Sequence, residues 1–315
     1  KTKQFLSEQA NKAMFSILKK ANTLSLPYDI QIELFDKTVK PVLLYACEIW
    51  GFGNIDILER TQLKFFKYIF KMKKSTPSYM IYGELGLTPL SVDIKSRIVT
   101  YWARIIDDIN CNTTPKLSSK MYTLLYQMHL RNPTKCMWIN NVKDILCASG
   151  FSGIWESQSF VNSLWLKKPI HLKARDIFIQ QWYGDLNRSS GTNLYKHIKD
   201  SFVRSNFINT LPTHYTKTLI LFRTRNHRLP VETGRWQNIP HNERKCTTCN
   251  LIGDEYHFLM ECKTFATLRN TYLPVYYRTH SNFVKFTTLF KSDNYEVLKN
   301  LAILIFKIMK KLNSK

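Results

Sequence analysis

Apolar residues recur at helical spacing over most of this chain, and no stretch shows the strict two-residue alternation of a half-buried strand. Phe5, Leu6, Ala10, Ala13, Met14, Ile17 and Leu18 form one stripe within residues 3–21, with lysines opposite, which predicts a first helix. Ser25-Leu26-Pro27 breaks it. Ile30, Leu34, Phe35, Thr38 and Val39 resume the period as far as Pro41, which has no N–H to donate and must kink or restart the helix. The apolar run from Val42 to Cys47, extended through Ile49 and Trp50, is expected in the core, and Gly51 and Gly53 stop it. A third helix, 56–71, turns Ile57, Leu58, Phe65, Phe66, Ile69 and Phe70 inward. Its basic exit, Lys71-Met72-Lys73-Lys74, suits the negative end of a helix dipole.

Thr76-Pro77 and Thr88-Pro89 then read as start signals, a hydroxyl cap followed by proline in the first helical position. The second should open a long helix with Leu90, Ile94, Ile98, Tyr101, Trp102, Ile105, Ile106 and Ile109 on one side. A polar loop, 111–119, leads to two further helical patterns, 119–131 and 135–148, with Gly150 as a stop. Residues 151–210 mix Phe151, Trp155, Phe160, Trp165, Phe178, Trp182 and Tyr183 with basic and amide residues without a single period, and are expected to hold two or three helices. After Pro212 a helix through Leu219, Ile220, Leu221 and Phe222 is expected. The tail, 265–315, should add one amphipathic helix carrying Leu298, Leu301, Leu304, Ile305, Ile308 and Met309, and it ends in lysines. The fold class is therefore mainly α, without a solenoid repeat.

Length changes the picture first, because 315 residues exceed what one compact core usually needs, so two or three packed units are expected. Charge changes it more. Lys plus Arg number 46 against 23 Asp plus Glu, a net charge of +23, and such a surplus repels itself unless a polyanion offsets it. Nucleic-acid phosphate is the commonest such partner, the alternative being a merely basic, solvated surface. Four of the seven cysteines, Cys47, Cys111, Cys136 and Cys147, are scattered, which speaks against a disulfide-stapled secreted scaffold and for a reducing, intracellular setting, nuclear or cytoplasmic. No apolar run is long enough to span a bilayer, so no membrane partner is expected. No secretory signal is visible, and the opening Lys1 suggests an excised or partial reading frame.

The other three cysteines define the candidate chemistry. Cys246, Cys249, His257 and Cys262 are spaced C-x2-C-x7-H-x4-C, which suits one tetrahedral structural zinc: two thiolates from a tight knuckle, the imidazole and last thiolate from a short helical turn. Gly253 lies where the chain must reverse. Three thiolates and a neutral imidazole leave about one negative charge on a zinc site, and Arg244, Lys245 and Lys263 are placed to offset it. The alternative is four unrelated residues in a reduced protein. Just upstream, Arg223, Arg225, His227 and Arg228, then Arg235 and Trp236, combine cations with aromatic rings, as phosphate contact with base stacking requires. With Arg244, Lys245, Lys71, Lys73 and Lys74 they form the expected nucleic-acid-binding set.

Catalytic constellations are missing. Tyr183-Gly184-Asp185-Leu186 offers one carboxylate where two-metal chemistry needs a pair. Asp293, Glu296 and Lys299 fit one turn of a solvated helix, and His241-Asn242 fits a loop. There is no G-x-x-x-x-G-K loop and no nucleophile elbow. The chain is expected to bind rather than catalyse.

Several of these stretches together suggest a family. Pro41-Val42-Leu43-Leu44-Tyr45-Ala46-Cys47-Glu48-Ile49-Trp50-Gly51, Leu58-Glu59-Arg60-Thr61-Gln62-Leu63-Lys64-Phe65 and Tyr82-Gly83-Glu84-Leu85-Gly86 resemble the region just after the polymerase palm in reverse transcriptases of non-LTR (LINE-type) retrotransposons. Arg223 to Cys262, with Leu229-Pro230-Val231-Glu232-Thr233-Gly234-Arg235, is similar to their C-terminal CCHC segment. The resemblance implies a thumb-like helical domain at 1–111, a helical connector at 112–222, a basic segment and zinc knuckle at 223–270, and an amphipathic helix with a basic tail at 271–315. It implies a chain that grips RNA and DNA during target-primed reverse transcription, with the catalytic Asp-Asp motif and its magnesium in a polymerase domain upstream of Lys1. The alternatives are a helical scaffold whose knuckle docks a protein, a degenerate element fragment, or a nuclease whose site is not recognisable.

Overall fold

The structure is a computed structural model that describes residues 1–111, 113–159, 162–188 and 194–313. It is mainly α: 75% helix, with nineteen α-helices and no strand among the described residues. The chain forms two compact units that interleave along the sequence, one of residues 1–17, 34–62 and 88–183, the other of 18–33, 63–87 and 184–315. Among the described residues no helix is long and apolar enough to cross a membrane.

The periodic segments fold as their stripes require. Thr2–Thr23 and Asp56–Phe70 are helices, and Leu6, Ala10, Met14 and Leu18 of the first and Leu58, Phe65, Phe66 and Phe70 of the second are almost fully buried. Around Pro41 the helix does restart: Tyr28–Leu34 widens into a π-helical turn, Phe35–Val39, and Lys40–Leu43 follows with the proline in its first turn, where no N–H is needed. The apolar run beyond it is only partly core. Leu43, Leu44 and Cys47 are buried, but Tyr45 and Ile49 are 71% and 52% exposed, because Ala46 takes a left-handed conformation that breaks the helical phase. Burial pushes the Cys47 thiol up to about 12, so this cysteine is inert.

In the first unit three helix starts receive carboxylates that lie outside the helix they cap. Leu90–Cys111 begins after Pro89, but its first amides, Leu90 and Ser91, donate to Glu59 at 3.2 and 2.9 Å. Asp108 accepts from Lys116 N (2.8 Å) and Ser119 Oγ (2.6 Å) where Leu117–Arg131 starts. Asp107 accepts from the amides of Asn162 and Ser163, at 3.0 and 2.7 Å, where Ser163–Arg188 starts. Each cap satisfies amides that a helix cannot pair internally and places negative charge at its positive end. The core of this unit closes on Trp102, fully buried, whose indole donates to Tyr122 Oη at 3.0 Å while its ring lies 5.8 Å from Trp155.

The second unit is built around Glu84, on the Ser78–Leu85 helix. Its fully buried carboxylate accepts from Arg223 Nε at 2.9 Å and from Ser205 Oγ at 2.7 Å, and Arg223 also donates to the Phe290 carbonyl at 3.0 Å. Gly86 closes the helix at φ +61°, and a Cβ there would sit 2.5 Å from the Arg204 backbone, so only glycine allows this approach. Thr76 does not cap that helix. Its hydroxyl donates instead to Asn226 Oδ1 at 2.9 Å.

Residues 151–210 hold more helices than the two or three expected: Ser152–Ser157, Ser163–Arg188, Leu194–Ile198 and Phe207–Thr210. Phe160 lies outside the described residues. The tail contains the expected amphipathic helix, Tyr295–Asn313, but also Ala266–Tyr272, Val275–Arg278 and Phe283–Lys291, which are too short to show a period. Asp293 precedes the Tyr295–Asn313 helix, and Glu296 pairs with Lys299 at 3.6 Å on its first turn. Glu84→Gln is expected to cost about 3–5 kcal/mol, because it strands a buried guanidinium. Denaturant unfolding of the variant checks this, and a loss below about 1 kcal/mol would show that Arg223 finds another partner.

Candidate metal centre

The knuckle begins with one isolated antiparallel bridge, Lys245 to Ile252. Between them the Cys246 amide donates to the Leu251 carbonyl at 2.7 Å and the Asn250 amide to the Cys246 carbonyl at 2.9 Å, with Asn250 at φ +55° turning the chain. This brings Cys246 and Cys249 to one side. The second half is a π-helical turn, His257–Glu261, started by Asp254, whose Oδ1 accepts from the His257 amide at 2.8 Å, and ended at Cys262, whose amide donates to the His257 carbonyl at 2.8 Å.

One ligand atom from each of Cys246, Cys249, His257 and Cys262 lies within 4.8 Å of the others. Cys262 Sγ is 3.9 Å from Cys246 Sγ and 3.8 Å from Cys249 Sγ. Thiolates about 2.3 Å from one tetrahedral ion would stand about 3.8 Å apart, so the sulfurs already have the right spacing. His257 is 2% exposed and neither of its ring nitrogens has a hydrogen-bond partner, with Glu261 Oε2 3.6 Å from Nδ1. A buried imidazole without a partner is costly unless something else takes its lone pair, and a metal ion does so. The group can therefore hold one ion. Among the described residues it is the one set of three or more His, Cys, Asp and Glu side chains so placed.

The surroundings favour bound thiolates. The Lys263 amide, hydrogen-bonded to Cys249, draws that thiol below its ordinary value, and the Lys263 charge adds to this. Burial pushes Cys262 up to about 11, which an ion would reverse. Arg269, on Ala266–Tyr272, is buried with Nη1 unpaired; burial lowers its pKa, and the charges of Cys262 and Cys249 oppose that shift. It is, with Lys263, a cation placed to offset a negative site, and nothing in its sequence position announced it. Asp254, which caps the turn three residues before His257, was likewise not singled out from the sequence.

Of the three cations expected to offset the site, Arg244 serves as a clip. Its Nε donates to the Ile239 carbonyl at 2.8 Å and its Nη1 to the Val231 carbonyl at 3.1 Å. Pro230–Trp236 is thereby fixed on the knuckle, helped by Gly253, where a Cβ would lie 2.7 Å from Pro230 Cγ. Lys245 is exposed.

The basic set divides sharply. Arg223, Arg225 and His227 face inward: Arg223 pairs with Glu84, Arg225 with the fully buried Glu232, and His227 Nε2 with Glu255 at 2.9 Å. Burial raises the Glu255 carboxyl, but the hydrogen bond and charge of His227, a backbone hydrogen bond and the Arg225 charge together hold it below the usual range. Arg223 and His227 are therefore buried, with Arg223 Nε and Nη1 and His227 Nε2 engaged inside the unit. Arg228, Arg235, Lys71 and Lys74 are exposed, and Arg235 also reaches Glu232 at 2.7 Å. Lys73 Nζ lies 3.4 Å over the Trp236 ring. Asp185 is half exposed and pairs with Arg188 at 2.7 Å, the helix-end role expected of a lone carboxylate.

No protein-family model, curated protein or solved structure matches this chain. Metal analysis of protein purified without chelator is expected to give about one divalent ion per chain. His257→Ala or Cys249→Ser should speed amide exchange across 240–265 while the first unit keeps its protection. Protein without metal, or a variant with unchanged exchange, would contradict the assignment.

Proposed function

We propose that this chain is the nucleic-acid-binding, non-catalytic C-terminal part of a LINE-type retrotransposon reverse transcriptase, with one structural zinc at Cys246, Cys249, His257 and Cys262. The observation that carries the proposal is the mounting of a basic-aromatic helix on the knuckle: Pro230 against Gly253 and Arg244 on the Val231 carbonyl hold Pro230–Trp236, which displays Arg235 and Trp236 outward. A site closed by four protein ligands has no open position for catalysis, so the zinc would act as a clamp. The net charge of +23 and the resemblance of the flanking stretches support RNA and DNA as the partners. In this proposal magnesium and the polymerase chemistry belong to an upstream domain.

One observation favours a second proposal, a protein-docking module. The Leu117–Arg131 helix leaves Leu117, Met121, Leu124 and Leu130 between 54% and 74% exposed. The two differ in salt dependence. A nucleic-acid binder should lose about a thousandfold or more in affinity for RNA or duplex DNA between ~50 and ~200 mM salt, through counterion release. Fluorescence anisotropy at several salt concentrations measures this, and no binding at low salt, or a flat dependence, would sink the first proposal.

A further inference from the structure

A cleft in the second unit is used neither by the metal centre nor by the helical packing. It has a volume of about 360 Å³, and its walls include Lys73, Thr76, Arg225, Asn226 and Arg235. That is enough room for a phosphate with part of the molecule that bears it. Lys73 is the unusual member. Its Nζ is shielded from solvent and has no hydrogen-bond acceptor, although an ammonium carries three donors. The Trp236 ring below it, 3.4 Å away, supplies a cation–π contact but accepts none of those protons in the ordinary sense.

The charges around Lys73 do not balance. Glu232, the nearby carboxylate, is already shared by Arg225 and Arg235. Asp185, also in the wall, is paired with Arg188 at 2.7 Å. Lys73, Arg225 and Arg235 thus face one carboxylate and leave a surplus of positive charge in a small concave site. Burial draws the Lys73 ammonium below its ordinary value, with Glu232 opposing the shift, so an arriving anion would relieve an existing cost. Asn226 fixes the geometry: its Oδ1 accepts from the Lys73 amide at 2.8 Å and from Thr76 Oγ1 at 2.9 Å, and its Nδ2 donates to the Thr224 carbonyl at 3.0 Å. The loop that carries Lys73 is therefore tied to the chain around Asn226 before any ligand arrives.

We propose that this cleft is a phosphate-binding site in which Lys73 and Arg235 take the oxyanion, with the half-exposed Trp236 ring supporting Lys73 from behind the cleft wall. The proposal deepens the nucleic-acid reading and rests on it for the identity of the phosphate carrier, which is either an internal phosphodiester or a terminal phosphate of a single strand. Tight recognition of one phosphate by a preformed site differs from the diffuse attraction that a net positive charge gives to any polyanion.

Inorganic phosphate, titrated at constant ionic strength against chloride, tests the site without nucleic acid. The indole N–H resonance of Trp236, assigned with Trp236→Phe, is expected to shift saturably in the wild-type chain and not in Lys73→Met. Should Lys73→Met fail to fold, Arg235→Gln at the exposed mouth is expected to weaken the same titration by roughly tenfold. No shift in the wild-type chain, or an equal titration in the variants, would overturn the site. Oligonucleotides with and without a 5′-phosphate then separate the carriers. For a terminal phosphate the wild-type chain prefers the phosphorylated strand and Lys73→Met loses that preference. For an internal phosphodiester both strands bind alike, and the variant weakens both and lowers the salt slope by about one. Phosphate binding here by a chain that ignores RNA and DNA would keep the site and remove the nucleic-acid reading. Nucleic-acid binding without a phosphate shift would do the reverse.

Discussion

Three buried carboxylates govern how the second unit holds the basic stretch 223–228. Glu84, Glu232 and Glu255 take Arg223, Arg225 and His227 respectively, so every second residue of the segment is pinned inward. Buried charges persist only when paired, and removing one partner costs far more than the pair itself contributes. The segment between the Thr213–Arg223 and Pro230–Trp236 helices is consequently fixed in one register, and the outward set is Arg228, Arg235 and Trp236. What reads along the sequence as a continuous basic patch is a structural rail with a much smaller exposed face.

That rail leads into the candidate metal centre, and the two are mechanically joined. Glu255 stands two residues before His257 and pairs with His227, while Gly253 receives Pro230 at a distance no side chain would allow. An ion bound by Cys246, Cys249, His257 and Cys262 would lock the knuckle, and the knuckle in turn sets the Pro230–Trp236 helix through Arg244. The buried, unpaired His257 and Arg269 mark where the ion's lone-pair and charge demands fall. Trp236 carries this positioning on to Lys73, and so to the cleft beside it.

The scarcity of acids gains meaning from where they are used. Glu59, Asp107 and Asp108 cap helices in the first unit, where they satisfy backbone amides. Glu84 and Glu232 are fully buried in the second. A chain that already has twice as many bases as acids thus spends several of the acids inside, and because each buried Arg–Glu pair cancels, the surplus of +23 is left to the rest of the chain.

The sequence by itself determined the elements whose signals are local. The stripes of Thr2–Thr23, Asp56–Phe70, Leu90–Cys111 and Tyr295–Asn313 were readable because a helical face repeats within a few residues. The candidate metal ligands were readable because all four fall within one short segment whose spacing is set by a turn and a helical end. Tertiary structure decided the rest. Arg223 meets Glu84 across 139 residues, Lys73 meets Asn226 across 153, and the Leu90–Cys111 helix takes its cap from Glu59 rather than from Thr88. A hydroxyl before a proline, or an arginine in a basic run, has the same local signature whether it faces solvent or a buried carboxylate. The choice rests on desolvation and on partners that only the folded chain brings within reach.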